Sequence, residues 1–183
     1  MVPGSPIELR PAAAVLPSAA DVAAILRERG WLGDSNHSSE FDLWLADAAA
    51  WLGPHAADRA AHADLLGLIF QYDAASILRR PENHVVLARE GAREVVRELA
   101  LRVLEGPEMD SDRFKQVVAA LKEVLPYRGR ELFHPIRLAL AGRAGAGELD
   151  RVILLLDRAA RLPFLVPVKG ARERLLAFCA ALD

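Results

Sequence analysis

The sequence predicts an all-α fold, built as two packed helical subdomains, and three observations carry that expectation. Apolar residues recur at spacings of three and four through nearly every segment, the period of a helix with one face turned inward. Strict alternation, the mark of a half-buried strand, is nearly absent; only Phe164 to Val168, between Pro163 and Pro167, reads as extended. Of the 183 residues 52% are apolar but only 6% aromatic, and much of the rest is Ala and Leu, which favours helix over sheet. A chain of this length buries a sizeable interior without metal or disulfide staples.

The elements follow in order. Residues 1–17 carry four prolines and read as an extended lead. Ser18 starts a helix, with Asp21 three residues on as in a capping box; Val22, Ile25 and Leu26 form its stripe and Gly30 ends it. A polar loop, Asp34 to Ser39, leads to a second helix capped by Ser38 or Ser39, with Phe41, Trp44, Leu45, Ala48, Trp51 and Leu52 inward and Gly53-Pro54 as its stop. A third helix is expected from about Ala56 to Phe70. A short fourth, capped by Asp73, ends near Arg80, before Pro81. His84 to Ala88 reads as a helical turn. Ala92 to Leu104 is amphipathic, with Ala92, Val95, Val96, Leu99 and Val103 on one side, and Gly106-Pro107 breaks it. Asp110 or Ser111 caps a helix that carries Phe114, Val117, Val118, Leu121 and Leu125 inward, closed by Pro126. The expectation is nine or ten short helices. A lead (1–17), an N-terminal subdomain (18–80) and a C-terminal subdomain (81–183) divide them.

Composition excludes several function classes. One cysteine, Cys179, permits no internal disulfide and points to a cytoplasmic protein. It lies among Leu175, Leu176 and Leu182 and reads as a packed thiol. The N-terminus lacks a basic region followed by an apolar core, so no signal peptide is expected, and no apolar run is long enough for a membrane span. His55, Asp58 and His62 could share a helical face. Ligands two turns apart are about 10 Å apart along the axis, too far for one small ion, so no metal is expected. There is no Ser in a nucleophile elbow and no Walker-type loop. The glycines Gly142, Gly145 and Gly147 follow a helix and not a strand, so the dinucleotide fingerprint lacks its setting, and no cofactor is expected. No pair of acids stands out as acid and base, and no catalytic residue is assigned. The net charge of −2 is uneven: residues 127–183 hold ten Lys/Arg and six Asp/Glu, against thirteen and nineteen before them. An anionic partner would therefore meet the C-terminal part.

The stretch from Arg128 to Asp157 says most. Arg128-Gly129-Arg130 is a basic turn, with Leu132 and Phe133 beneath it. Pro135 fits the first turn of a helix, with His134 at its start and Ile136, Ala139 and Leu140 inward. Arg137 lies about 100° from Ile136 around the helix axis, which places it toward solvent or a ligand. Gly142 is the residue just past the helix end, the loop Arg143 to Gly147 turns the chain, and a new helix starts near Glu148. Within it Val152 to Leu156 is apolar on all sides and should be the most buried segment.

The run G-R-E-L-F-H-P-I-R-L-A-L-A-G, Gly129 to Gly142, resembles the C-terminal anticodon-binding region of bacterial glutamyl-tRNA synthetases. That family shows Gly-Lys-x-Leu-Phe-x-Pro-Leu-Arg-x-Ala-Leu-Thr-Gly, then a Gly-Pro-x-Leu step into a Leu-rich helix. Gly129, Arg130, Leu132, Phe133, Pro135, Ile136, Arg137, Ala139, Leu140 and Gly142 match it, and Glu148 and Leu149 follow. The resemblance extends over about residues 60–183. It implies an all-helical domain that recognises tRNA, with the arginine of the Pro-Leu-Arg step and the loop after it approaching anticodon bases. Those positions fall on Arg137, on the loop near Ala146 and on Leu149. Arg128, Arg130, Arg143 and Arg151 complete the candidate RNA-binding residues. Three features depart from the pattern: Ala141 stands for Thr, Ala146-Gly147 for Gly-Pro, and an insertion spans Asp157 to Lys169. The His-x-Gly-His and Lys-Met-Ser-Lys-Ser signatures of a synthetase are absent. The resemblance thus implies a tRNA-binding module without aminoacylation activity by itself. Its partners would be tRNA, such as tRNA-Glu, or another structured RNA, and a separate catalytic protein. A helical protein-interaction scaffold that has lost RNA recognition remains the alternative.

Overall fold

A computed structural model describes residues 16–34 and 38–183. Most of the lead (1–17) and the centre of the polar loop from Asp34 to Ser39 lie outside these residues. Within them the chain forms ten α-helices and no strand. They are α1 (Ala19–Glu28), α2 (Ser39–Leu52), α3 (Arg59–Phe70), α4 (Ala74–Arg79), α5 (Pro81–Leu87), α6 (Ala92–Leu104), α7 (Ser111–Val124), α8 (Gly129–Ala141), α9 (Glu148–Arg161) and α10 (Ala171–Leu182), with a 3-10 turn at Gly53–His55.

Short polar side chains set most of the starts. Ser18 and Asp21 form the reciprocal capping box at α1. Ser38, Asp58, Asp73 and Asp110 each accept the N–H three residues on, at the heads of α2, α3, α4 and α7. Two starts differ from expectation for the same local reason. Asp58 takes the cap of α3, so that helix begins at Arg59 and not near Ala56. Pro81 needs no N–H partner at the first helical position, so α5 begins there, before His84.

The larger correction concerns α8. It starts at Gly129, and Pro135 lies in its interior instead of its first turn, with His134 in mid-helix. An interior proline forgoes one helical hydrogen bond and crowds the carbonyl four residues back, here that of Glu131. Burial of Leu132, Ile136, Ala139 and Leu140 on one face holds the helix through it, all four fully inaccessible. Gly142 ends α8 at φ +78°, its N–H donating to the Leu138 carbonyl. A side chain there would also meet Ile77 Cδ1 at 2.9 Å, so both backbone and space require glycine.

α9 is the hub. It packs against α2 and α3 on one side and α8 on the other, while α8 also meets α6 and α10. Val152, Ile153, Leu155 and Leu156 are fully buried and Leu154 nearly so; each such side chain contributes about 1.5–3 kcal/mol on burial. One apolar cluster runs from Val22 to Phe178 without a gap at residue 80. The segment from Phe164 to Val168 is irregular, not a strand. Its Phe164 ring fills a box made by Phe41, Trp44 and Phe70, with ring centres 4.8–5.1 Å away, and the Leu165 N–H donates to the Trp31 carbonyl at 2.9 Å. This segment therefore belongs to the core of the N-terminal half.

Behind α8 lies a fully buried arginine. Arg174 donates to the carbonyls of Lys169 (2.8 Å), Leu140 (2.7 Å) and Ile69 (2.6 Å) and lies 4.4 Å from the Tyr72 ring centre. Leu140 and Ile69 are in the last turns of α8 and α3, where carbonyls lack helical partners and the helix end is negative. Burial lowers its pKa to about 10, which leaves the guanidinium charged at neutral pH. No described helix is long and apolar enough to cross a membrane.

Candidate nucleic-acid interface

The elbow between α8 and α9 is built around Arg137. Its Nε and one terminal nitrogen donate to the two oxygens of Asp150, each at 2.8 Å, and the other terminal nitrogen donates to the Gly145 carbonyl at 2.8 Å. The guanidinium also lies 4.9 Å from the Phe133 ring centre. Only 12% of the Arg137 side chain and 23% of Asp150 is exposed. The outward position expected for Arg137 is thus corrected: helical period fixed its direction, but α9 lies in that direction and supplies a carboxylate. The fork geometry of guanidinium and carboxylate makes this the best-formed ion pair of the elbow. Arg137 therefore ties the loop to both helices and does not project free.

Leu149 requires a second correction. It is 1% exposed, so its side chain belongs to the core and presents no face to a base. It supports the loop from below, and a side chain on Gly145 would meet Leu149 Cδ1 at 2.9 Å, which explains the glycine. Above it the loop is open: Arg143, Ala146 and Gly147 are exposed, as is Arg151 on the first turn of α9. Arg128 is also committed. Its guanidinium donates to the carbonyls of Lys122, Leu125 and Tyr127 at 2.6–2.7 Å, closing the end of α7. Arg130 is exposed, and among the described residues Arg130, Arg143 and Arg151 form no ion pair. The seven candidates thus divide. Arg130, Arg143, Ala146 and Arg151 face solvent, Arg128 and Arg137 hold backbone in place, and Leu149 is buried.

Neither Asp150 nor Arg174 was singled out from sequence. The ion pair joins residues 13 apart across a turn, which no helical spacing reports. Arg174 did leave a signal: with Ala171, Leu175 and Phe178 it sits at three- and four-residue spacing on the buried face of α10.

His55 is in the 3-10 turn, Asp58 caps α3, and His62 is 2% exposed, so the three do not share one helical face. Among the described residues no group of three His, Cys, Asp or Glu could hold a metal ion. The Cys179 thiol is partly covered, and burial raises its pKa, which keeps it protonated and weakly reactive.

An all-α fold with an arginine-clamped elbow, preceded by the Gly-x-x-Leu-Phe-x-Pro-x-Arg run, places the chain in one class. It belongs to the anticodon binding domain family, which it matches over residues 17–162. Among curated proteins it is similar to glutamate–tRNA ligase 2 of Syntrophus aciditrophicus, 38% identical over 84 residues. These are 46% of this chain and 15% of that protein. It is also similar to glutamate–tRNA ligase of Carboxydothermus hydrogenoformans, 32% identical over 78 residues, 43% of this chain and 16% of that protein. The matched parts are thus about one-sixth of those relatives' length. No solved structure matches the chain.

Proposed function

We propose that the chain is a tRNA-binding module, cytoplasmic and without aminoacylation activity by itself, which recognises the anticodon arm of a tRNA such as tRNA-Glu. The observation that carries this reading is the family match over residues 17–162, which includes the whole elbow. In this reading Arg130, Arg143 and Arg151 contact phosphates, and the exposed loop at Ala146 meets bases. Arg137 and Leu149 set the loop from inside, and Arg128 fixes the turn into α8. Phosphate contacts dominate such affinities and make them fall steeply with salt. A separate catalytic protein would supply any charging reaction.

Fluorescence anisotropy with labelled total tRNA at low salt tests the proposal. Binding in the micromolar range or tighter, weakened by salt, is expected; no binding at tens of micromolar protein would sink it. One observation favours a second reading, a protein-interaction scaffold: the Asp150 carboxylate neutralises the arginine at the centre of the elbow. Recovery of a specific protein partner, with no tRNA binding, would favour that reading.

A further inference from the structure

The start of α8 and the loop between α5 and α6 bring charged residues of both signs together. Glu90 and Glu131, with Glu94, act on Tyr127, whose hydroxyl donates to Glu94 at 3.0 Å. Arg89 and Arg130, with Arg137, act on His134. Acidic and basic groups interleave in the groove beside Tyr127, which Arg89 lines with Glu90, Arg93 and Glu94.

An Arg89 guanidinium nitrogen lies 3.1 Å from His134 Nδ1. A guanidinium can only donate, so Nδ1 is the acceptor and the ring proton sits on Nε2. Nε2 has no hydrogen-bond partner among the described residues. Arg130 is four residues before His134 on α8, the spacing that brings side chains together on one helical face. Among the described residues neither Arg89 nor Arg130 is ion-paired with a carboxylate. Arg89 thus meets the ring directly and Arg130 shares its helical face, so two guanidiniums without a carboxylate partner flank a neutral N–H donor. Burial and the nearby arginines hold the His134 pKa down, which keeps the ring a neutral donor.

We propose that Arg89, Arg130 and His134 form a seat for one phosphodiester group of the RNA backbone, with His134 Nε2–H and both guanidiniums donating to its oxygens. The proposal rests on the tRNA-binding reading and adds Arg89 and His134 to it. The seat runs from the first turn of α8 to its middle, where His134 lies one turn before Arg137.

The test uses the full chain and labelled total tRNA in anisotropy titrations across a salt series. Arg89→Ala and His134→Ala should each weaken binding about tenfold, as expected for lost hydrogen bonds to a charged group. Arg89→Ala should also reduce the slope of log affinity against log salt by about one. The two losses should be less than additive, because both variants empty the same seat. His134→Gln, which keeps an N–H donor, should recover part of the affinity. Arg59→Ala, which removes a charge paired with Glu28 on the N-terminal half, should change affinity little. Helical circular dichroism checks that each variant is folded. Wild-type binding with Arg89→Ala and His134→Ala unchanged would overturn the seat while leaving the tRNA reading intact. No wild-type binding would overturn both.

Discussion

The arginines along α8 are of one residue type and meet two opposite fates. Arg137 is compensated by Asp150 and the Gly145 carbonyl, Arg174, from α10, by carbonyls that include Leu140 of the last turn, and Arg128 is spent on the carbonyls that close α7. Arg130 in the first turn and Arg143 just past the last are exposed, and Arg89 finds only a neutral ring. The first group serves the fold, and the second has no carboxylate partner among the described residues. A buried or bidentate guanidinium offers little to a ligand, because its donors are spent. An uncompensated one adds little to stability but much to attraction for an anion. A count of positive residues along the sequence treats all of them alike.

Variants that separate stability from binding can break this comparison. The largest stability effect is expected for Arg174→Met. It leaves three buried carbonyls short of a donor, at about 1–3 kcal/mol each before relaxation, so a loss of about 4 kcal/mol in urea unfolding is expected. Arg137→Ala should follow at about 2–3 kcal/mol, since it strands Asp150 and the Gly145 carbonyl in a partly buried site. Unchanged stability in that variant would mean that the clamp does not hold the elbow, and Arg137 would return to the set of available contacts.

Asp150→Asn sharpens the link between the two groups. It uncovers the charge of Arg137, one of the arginines that already depress the His134 pKa, so a ring NMR titration should show that pKa lower still. The folded-state pKa of His134 is below its unfolded value of 6.5. Its contribution to stability is therefore complete above that pH and is lost as the pH falls from 6.5 toward the folded pKa. In Asp150→Asn the window of loss should extend to lower pH. An unchanged pKa would show that Arg137 acts on the ring less than its position implies. The smallest stability effect belongs to Arg130→Ala, expected within about 0.5 kcal/mol of wild type, yet with a measurable loss of tRNA affinity. A large stability loss there would erase the contrast between the two groups.

Much of the architecture was legible because it is local. The capping box at Ser18 and Asp21, the cap at Asp73, the terminal Gly142 and the buried run from Val152 to Leu156 all follow from contacts within about a turn of helix. The family pattern around Phe133 and Pro135 was legible as a resemblance, because it is a contiguous run of residues. The misreadings share a different cause. Pro135 looked like a helix start because its own chemistry permits one, whereas the packing of Leu132 and Ile136 carries the helix through it. Arg137 looked free because the 3.6-residue period gives a direction but not what lies in that direction.

The sequence by itself determined the helices, most of their caps, the apolar faces and the kinship with anticodon-binding domains. Periodicity, capping and turn chemistry act over a few residues and are written in order along the chain. Only the tertiary structure decided which arginines are spent and which are available. Charge compensation depends on helix faces brought together from distant sequence: Asp150 across the elbow, Arg174 from α10 and Arg89 from the loop after α5.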